Sequence, residues 1–363
     1  MHGFLPWLLT LQLFHASAKE EVVVTTALTT FIGTLEDEIR KFRGIPYAEP
    51  PIGRLRFQPP RSKRIYPNPY YALEYSAECF QSELFVTGDR PHMSEDCLYL
   101  NVWTPSTSSM KSKSYPVLVW VYGGAFLQGG ANKALYAGHE LAKRGVVVVT
   151  FNYRLGALGF LVSTADGLFG NYGLGDQKLA LQWVQEHIHS FSGDPDRITV
   201  FGESAGAMSI GLQLLDQQLA KSLALGPTSK LFQSIILQSN PLGYRYLAIE
   251  HRWMRFMICR YRSVTVANFL GNSYKQLLDC EDIGCLLSES VDELMHVQDT
   301  LMATPRSIGD FFTWGPVVTD AAWHRELKHF HGTASNITVL QPIEAIRKIT
   351  RSGIPVLIGK SND

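Results

Sequence analysis

The segment Phe201-Gly202-Glu203-Ser204-Ala205-Gly206 holds the residues best suited to nucleophilic chemistry. A short apolar run, Ile198 to Phe201, leads into it, and a helix-like run, Ala205 to Leu215, leads out. A chain that reverses this sharply from strand to helix forces the central residue into a strained backbone conformation. Side chains two residues before and two after would crowd the turn, and Gly202 and Gly206 avoid the clash. The Ser204 hydroxyl is then held above the sheet edge. The following amide and the helix N-terminus face any negative charge that develops. The pattern G-x-S-x-G alone also fits a glycine-rich connection with an ordinary serine. Flanked by strand and helix, it points to acyl transfer.

A second element is Tyr122-Gly123-Gly124-Ala125-Phe126, directly after the apolar run Val117 to Val121. Small consecutive residues let backbone N–H groups point at a ligand. Acyl transfer needs such donors because its tetrahedral intermediate carries an oxyanion, and one donor contributes ~3 kcal/mol. Alone, this segment reads as any tight turn. Two glycine-rich turns, each after a parallel-type strand, point to a serine hydrolase.

The elements that must position these turns are legible. Val22 to Thr30 is β-branched and strand-like, and Pro46, Pro50, Pro51, Pro59 and Pro60 then punctuate an irregular connection. Val117–Val121, Val146–Val149, Ile198–Phe201, Ser234–Leu237 and Pro355–Gly359 are apolar runs of the kind that a sheet covered on both faces requires. Asp176 to His189 has apolar residues at helical spacing. Alternating strands and helices predict an α/β fold with a mostly parallel, doubly wound sheet. Lys+Arg and Asp+Glu balance at 33 each, so no charge excess points to nucleic acid or an anionic surface.

Residues 1–18 read as a secretory signal peptide. The apolar run Phe4 to Phe14 is too short to span a bilayer, and Ala16-Ser17-Ala18 is a small-residue cleavage site. No other stretch is long and apolar enough to be transmembrane, so the expected location is secreted or the secretory-pathway lumen. A secreted chain is expected to pair most of Cys79, Cys97, Cys259, Cys280 and Cys285. Asn336-Ile337-Thr338 is a glycosylation sequon.

Nearly all of residues 19–363 resembles the type-B carboxylesterase/cholinesterase family. Beyond Ser204, the matching segments are Phe42 to Ala48, Pro50 to Phe57, Ser94-Glu95-Asp96-Cys97-Leu98-Tyr99-Leu100-Asn101-Val102, Asn152-Tyr153-Arg154, Gly170 to Gln177 and Gly193-Asp194-Pro195. The resemblance implies an α/β-hydrolase fold with an N-terminal antiparallel portion. It implies Ser204 as the acyl acceptor and the amides of Gly124, Ala125 and Ala205 as oxyanion donors. Glu203 stands either near the acyl pocket and its waters or as a plain helix N-terminal acid. Cys79 and Cys97 match the family's first disulfide. Asn272 stands where its second often has a cysteine, which leaves Cys280 and Cys285 as a candidate tight pair and Cys259 unmatched. The loop Phe80 to Asp96 lacks the tryptophan on which cholinesterases seat choline, so the resemblance implies a general carboxylesterase.

Two departures shape the expectation. Leu247 to Arg260 is unlike the family and reads as an insertion. After Leu357-Ile358-Gly359 the sequence reaches only Ser361-Asn362-Asp363, and none of the eleven histidines matches the family's catalytic one; His187, His189, His329 and His331 read as ordinary residues. Residues 19–363 therefore read as an incomplete type-B domain lacking the last strands, with Pro355–Gly359 an unpaired or poorly covered strand and with little turnover. Expected partners are a small-molecule or lipid ester, with no nucleic acid, no cofactor and no metal. The rival function is a non-catalytic, cholinesterase-like adhesion or binding protein.

Overall fold

The computed structural model describes residues 20–82, 84, 91–106, 114–222, 230–239, 262–303, 314–318 and 356–359. The signal segment, the 247–260 segment with Cys259, Asn336, His329, His331 and Ser361 to Asp363 lie outside the described residues.

Among the described residues ten strands form one sheet. They are β1 (Glu20–Thr25), β2 (Thr30–Glu36), β3 (Ile39–Pro46), β4 (Tyr70–Tyr71), β5 (Tyr99–Pro105), β6 (Tyr115–Val121), β7 (Val147–Phe151), β8 (Gly193–Glu203), β9 (Ser234–Gln238) and β10 (Val356–Gly359). Their order is β1-β2-β3-β5-β7-β6-β8-β9-β10, with β4 beside β2. Along that order pairing is antiparallel from β1 to β7 and parallel from β7 to β10, as the α/β-hydrolase expectation requires, and β4 pairs with β2 in parallel.

Two strand expectations need correction. Val22 to Thr30 is not one strand. Thr26 N donates to Thr29 O at 3.0 Å and turns the chain between β1 and β2. Val356–Gly359 is not unpaired either: it pairs in parallel with β9, in register from Ile235↔Val356 to Gln238↔Gly359.

The helices are α1 (His139–Ala142), α2 (Gly156–Phe160), α3 (Tyr172–His187), α4 (Ala205–Ser222), α5 (Val264–Leu277), α6 (Ile283–Ser288) and α7 (Val291–Ala303). The predicted helix Asp176–His189 thus starts four residues earlier and tightens into a 3₁₀ turn at Ile188–Phe191. The central strands carry the main core. Val117, Val119, Val121, Val147, Val149, Ile198 and Val200 are buried with Leu181, Val184 and Leu212 of α3 and α4. A second core joins α5, α6 and α7 to Phe57, Leu158 and Tyr172. Polar clasps fix that join. Gln298 Oε1 accepts from Ala157 N at 2.7 Å, and Arg56 donates to the carbonyls of Leu286, Leu287 and Glu289 while pairing with Glu95 at 2.7 Å. Disulfides link Cys79 to Cys97 and Cys280 to Cys285. Among the described residues no helix is long and apolar enough to cross a membrane.

Candidate active site

From β6 the chain goes to β7 on one side, and it returns through α3 to β8 on the other. The strand order reverses there, and in open α/β sheets ligands bind outside the carboxyl ends of the strands at such a point. Both glycine-rich turns leave those carboxyl ends, β6 at Val121 and β8 at Glu203.

Ser204 sits between β8 and α4 with φ +52°, in the left-handed region that a side chain disfavours. Three contacts hold it there. Ser204 N donates to Gln238 O at 3.0 Å, Met208 N donates to Ser204 O at 2.9 Å, and Gly206 lies against β6. A Cβ on Gly206 would stand 2.0 Å from Val121 O, and one on Gly202 2.6 Å from the same oxygen. The two glycines therefore allow the helix and strand to close on β6, as the sequence pattern predicts. Ser204 is half-buried, and among the described residues its hydroxyl has no hydrogen-bond partner.

The facing turn is equally strained. Gly124, Ala125 and Phe126 have φ of +102°, +57° and +64°. Leu127 N and Gln128 N both donate to Gly124 O, at 3.0 and 3.1 Å, which curls the turn back on itself. A Cβ on Gly123 would lie 3.2 Å from Ser204 Cβ, so the two turns touch. Among the described residues the N–H groups of Gly124, Ala125 and Ala205 have no acceptor. Ala205 opens an eighteen-residue helix, whose N-terminus carries partial positive charge. The site thus presents a free hydroxyl beside uncommitted backbone donors.

Residues that sequence reasoning missed hold the second turn. The ring of Tyr122 stacks on that of Tyr153 at 4.4 Å, and Tyr153 OH donates to Tyr122 O at 2.8 Å. Gly156 N donates to Phe126 O at 2.8 Å. Gly129 N donates to Gln81 Oε1 at 2.7 Å, and Ser82 N to Leu127 O at 3.1 Å, so the segment after Cys79 buttresses the turn. Asn171 clamps Val317 through two bonds of 2.8 Å, and a Cβ on the nearby Gly315 would stand 3.3 Å from the Phe126 ring. The matched segments Asn152 to Arg154 and Gly170 to Gln177 contain Tyr153 and Asn171, but nothing local in them names these contacts.

Glu203 is the last residue of β8, half-buried, with Oε2 2.9 Å from where a Gly123 Cβ would be. Burial pushes its carboxyl above the usual range. Three of the described histidines, His139, His187 and His189, lie elsewhere. His187 and His189 are at the far end of α3, beside the start of β8 rather than its carboxyl end, and burial pushes the His187 imidazole down. His139 meets Asp37 at 3.3 Å. Two groups of donor atoms also come together among the described residues. One is Cys280, Cys285 and Glu289, in which the cysteines bond each other. The other is Glu36, Asp37 and His139, in which Lys41 and Lys143 already pair with the acids.

Comparison with known proteins places this geometry. The sequence model of the carboxylesterase family matches residues 20–363. Para-nitrobenzyl esterase of Bacillus subtilis (strain 168) is 37% identical over 350 residues, covering 94% of this chain and 62% of that protein. Acetylcholinesterase of Danio rerio is 38% identical over 337 residues, covering 86% of this chain and 49% of that protein. Among solved structures, a thermophilic pNB esterase superposes with a TM-score of 0.75 at 34% identity, covering 94% of this chain and 63% of that one. The chain therefore spans between about half and two thirds of the length of these relatives. With the family pattern matched along its whole described length and the sheet order in agreement, this chain belongs to the carboxylesterase family.

Proposed function

We propose that Ser204 is the acyl-accepting nucleophile of a carboxylic ester hydrolase. The observation that carries this reading is the left-handed backbone of Ser204, whose hydroxyl stands beside the uncommitted amides of Gly124, Ala125 and Ala205. Ser204 Oγ attacks the ester carbonyl, the carbonyl oxygen becomes an oxyanion on those amides, and the alcohol departs. Water then cleaves the acyl-enzyme and releases the acid. The substrate is a small-molecule or lipid ester. Two disulfides support a secreted or lumenal location, where residues 1–18 act as a signal peptide and Asn336 carries a glycan.

Proton transfer from Ser204 requires a base, and among the described residues no histidine or carboxylate is bonded to its hydroxyl. A polypeptide of these 363 residues, assayed alone, is therefore expected to turn over slowly. Triads missing one member keep only about 10³–10⁴-fold catalysis over water. Prolonged treatment with an excess of fluorophosphonate is expected to modify Ser204 and no other residue, at a low rate. A label on another residue would refute Ser204 as nucleophile, and rapid labelling would refute slow turnover.

The same uncommitted hydroxyl favours a second reading, a non-catalytic binding protein. Neuroligin-like protein glit-1 of Caenorhabditis elegans is 41% identical over 235 residues, covering 58% of this chain and 32% of that protein. Complete absence of Ser204 labelling in a folded chain would favour that reading.

A further inference from the structure

Arg61-Ser62-Lys63-Arg64 is a basic run that neither the site nor the core accounts for. It lies in an irregular segment between the 3₁₀ turn Gly53–Leu55 and β4. Arg61, Ser62 and Arg64 are exposed, and the following Ile65 is 80% exposed. Among the described residues the side chains of Arg61 and Arg64 have no ion pair or hydrogen bond. Pro59 and Pro60 precede the run and Pro67 follows Tyr66, so the backbone favours an extended form on both sides.

An enzyme that reads a peptide by its side chains takes it as an extended strand, and paired basic side chains on such a strand meet acidic pockets. Two other paired basic sites lack this form. Arg40-Lys41 lies inside β3, with Arg40 buried. Lys143-Arg144 closes α1: Lys143 N and Arg144 N donate to His139 O and Leu141 O, and the Lys143 ammonium meets Asp37 and Glu140. Three positions before Lys41 and Arg144 stand Glu38 and Leu141, whereas Arg61 stands three before Arg64. Little ties the exposed run down. Glu49 N donates to Arg61 O at 2.7 Å, Lys63 N donates to Tyr47 O at 3.2 Å, and Lys63 pairs with Glu49 at 2.9 Å. Both members of that pair are partly exposed, so local opening frees the run while the sheet stays intact.

We infer that the Arg64–Ile65 peptide bond is a processing site for a subtilisin-like endoprotease of paired-basic specificity in the secretory pathway. Water adds across the bond, leaving a carboxylate on Arg64 and an α-amino group on Ile65. The inference is independent of the esterase reading and uses only the lumenal location proposed above. The two pieces stay together after the cut. β3 keeps its pairing with β5 from Ile39↔Pro105 to Pro46↔Tyr99, and β2 stays beside β4. Phe31, Phe42 and Ile45 remain in the main core, and Tyr66 OH still donates to Pro46 O at 2.6 Å across the cut. No cysteine precedes Cys79, so no disulfide joins the pieces.

Incubation of the purified 363-residue chain with such a protease tests the inference. The larger product is expected to begin Ile65-Tyr66-Pro67 by N-terminal sequencing. The two pieces are expected to co-elute on a native sizing column and to separate in detergent without reductant. Arg64→Gln is expected to abolish the cut. Arg61→Gln is expected to slow it by at least about tenfold, through loss of one charge-assisted contact. Both side chains are exposed and unpartnered among the described residues, so neither substitution costs the fold. A chain left intact at Arg64, or a cut in this segment that survives in Arg64→Gln, overturns the inference. Equal rates for the parent and Arg61→Gln overturn recognition of the whole run, and separation on the native column overturns retention of the upstream piece.

Discussion

The two turns that meet at the site are held in different ways. The Ser204 turn is held by the sheet and helix that it joins: Met208 N of α4 donates to Ser204 O, Ser204 N donates to Gln238 O of the neighbouring strand β9, and Gly206 lies against β6. The Gly124 turn is held by residues far away in sequence, Gln81, Tyr153 and Gly156. Strain that local geometry enforces leaves a sequence pattern. Strain that distant contacts enforce leaves only glycines. The difference also separates stability from chemistry, because the first turn is part of the sheet's packing and the second is a loop laid over it.

Substitutions can break or sharpen this contrast. The largest effect is expected for Gly206→Ala. Its Cβ would stand 2.0 Å from Val121 O, a backbone atom fixed in the sheet, so relief requires α4 to move off β6. A loss of ~3 kcal/mol or more is expected, read by denaturant unfolding, with Ser204 labelling lost in parallel. A Gly206→Ala chain of unchanged stability would show that the elbow is not locally enforced.

Next is Cys79→Ser with Cys97→Ser. The bond closes a sequence separation of 18 residues, worth ~3 kcal/mol in the chain-entropy account. Because Gln81 follows Cys79 and holds Gly129, labelling is expected to fall further than stability alone explains. Equal losses would disconnect the disulfide from the turn.

Tyr153→Phe is expected to be smaller in stability, ~1–2 kcal/mol, since it keeps the stacked ring and leaves the buried Tyr122 carbonyl without its 2.8 Å donor. Labelling is expected to slow by about tenfold, which is the reverse of the Gly206→Ala pattern, where fold and site fail together. A Tyr153→Phe chain that labels normally would mean that the turn holds itself.

The smallest effect is a pH dependence. Burial raises the folded carboxyl pKa of Glu203 above its unfolded value, so the folded state binds the proton more readily. The linked stabilisation is fully present below the unfolded pKa and is lost as pH rises through the folded one. Glu203→Gln is therefore expected to flatten the pH profile of the melting temperature on its acidic side. An unchanged profile would remove Glu203 as its source.

The same contrast explains how far the sequence reaches. The parallel strands were legible because Val147–Phe151 and its neighbours are apolar runs, and the Ser204 turn because strand, glycines and helix are adjacent. The break between β1 and β2 was not, since Thr26 and Thr29 are as β-branched as the strands they separate and only their hydrogen bond marks the turn. The pairing of β10 with β9 joins residues more than a hundred positions apart and has no local signal. Gln81, Tyr153 and Gly156 bear on the site only after the chain has folded over itself.

The most direct test of the central claim is a crystal structure of the chain phosphonylated at Ser204. The phosphoryl oxygen is expected to lie about 2.7–3.1 Å from the amide nitrogens of Gly124, Ala125 and Ala205. A well-ordered adduct whose oxygen points away from all three, toward solvent, would contradict the account.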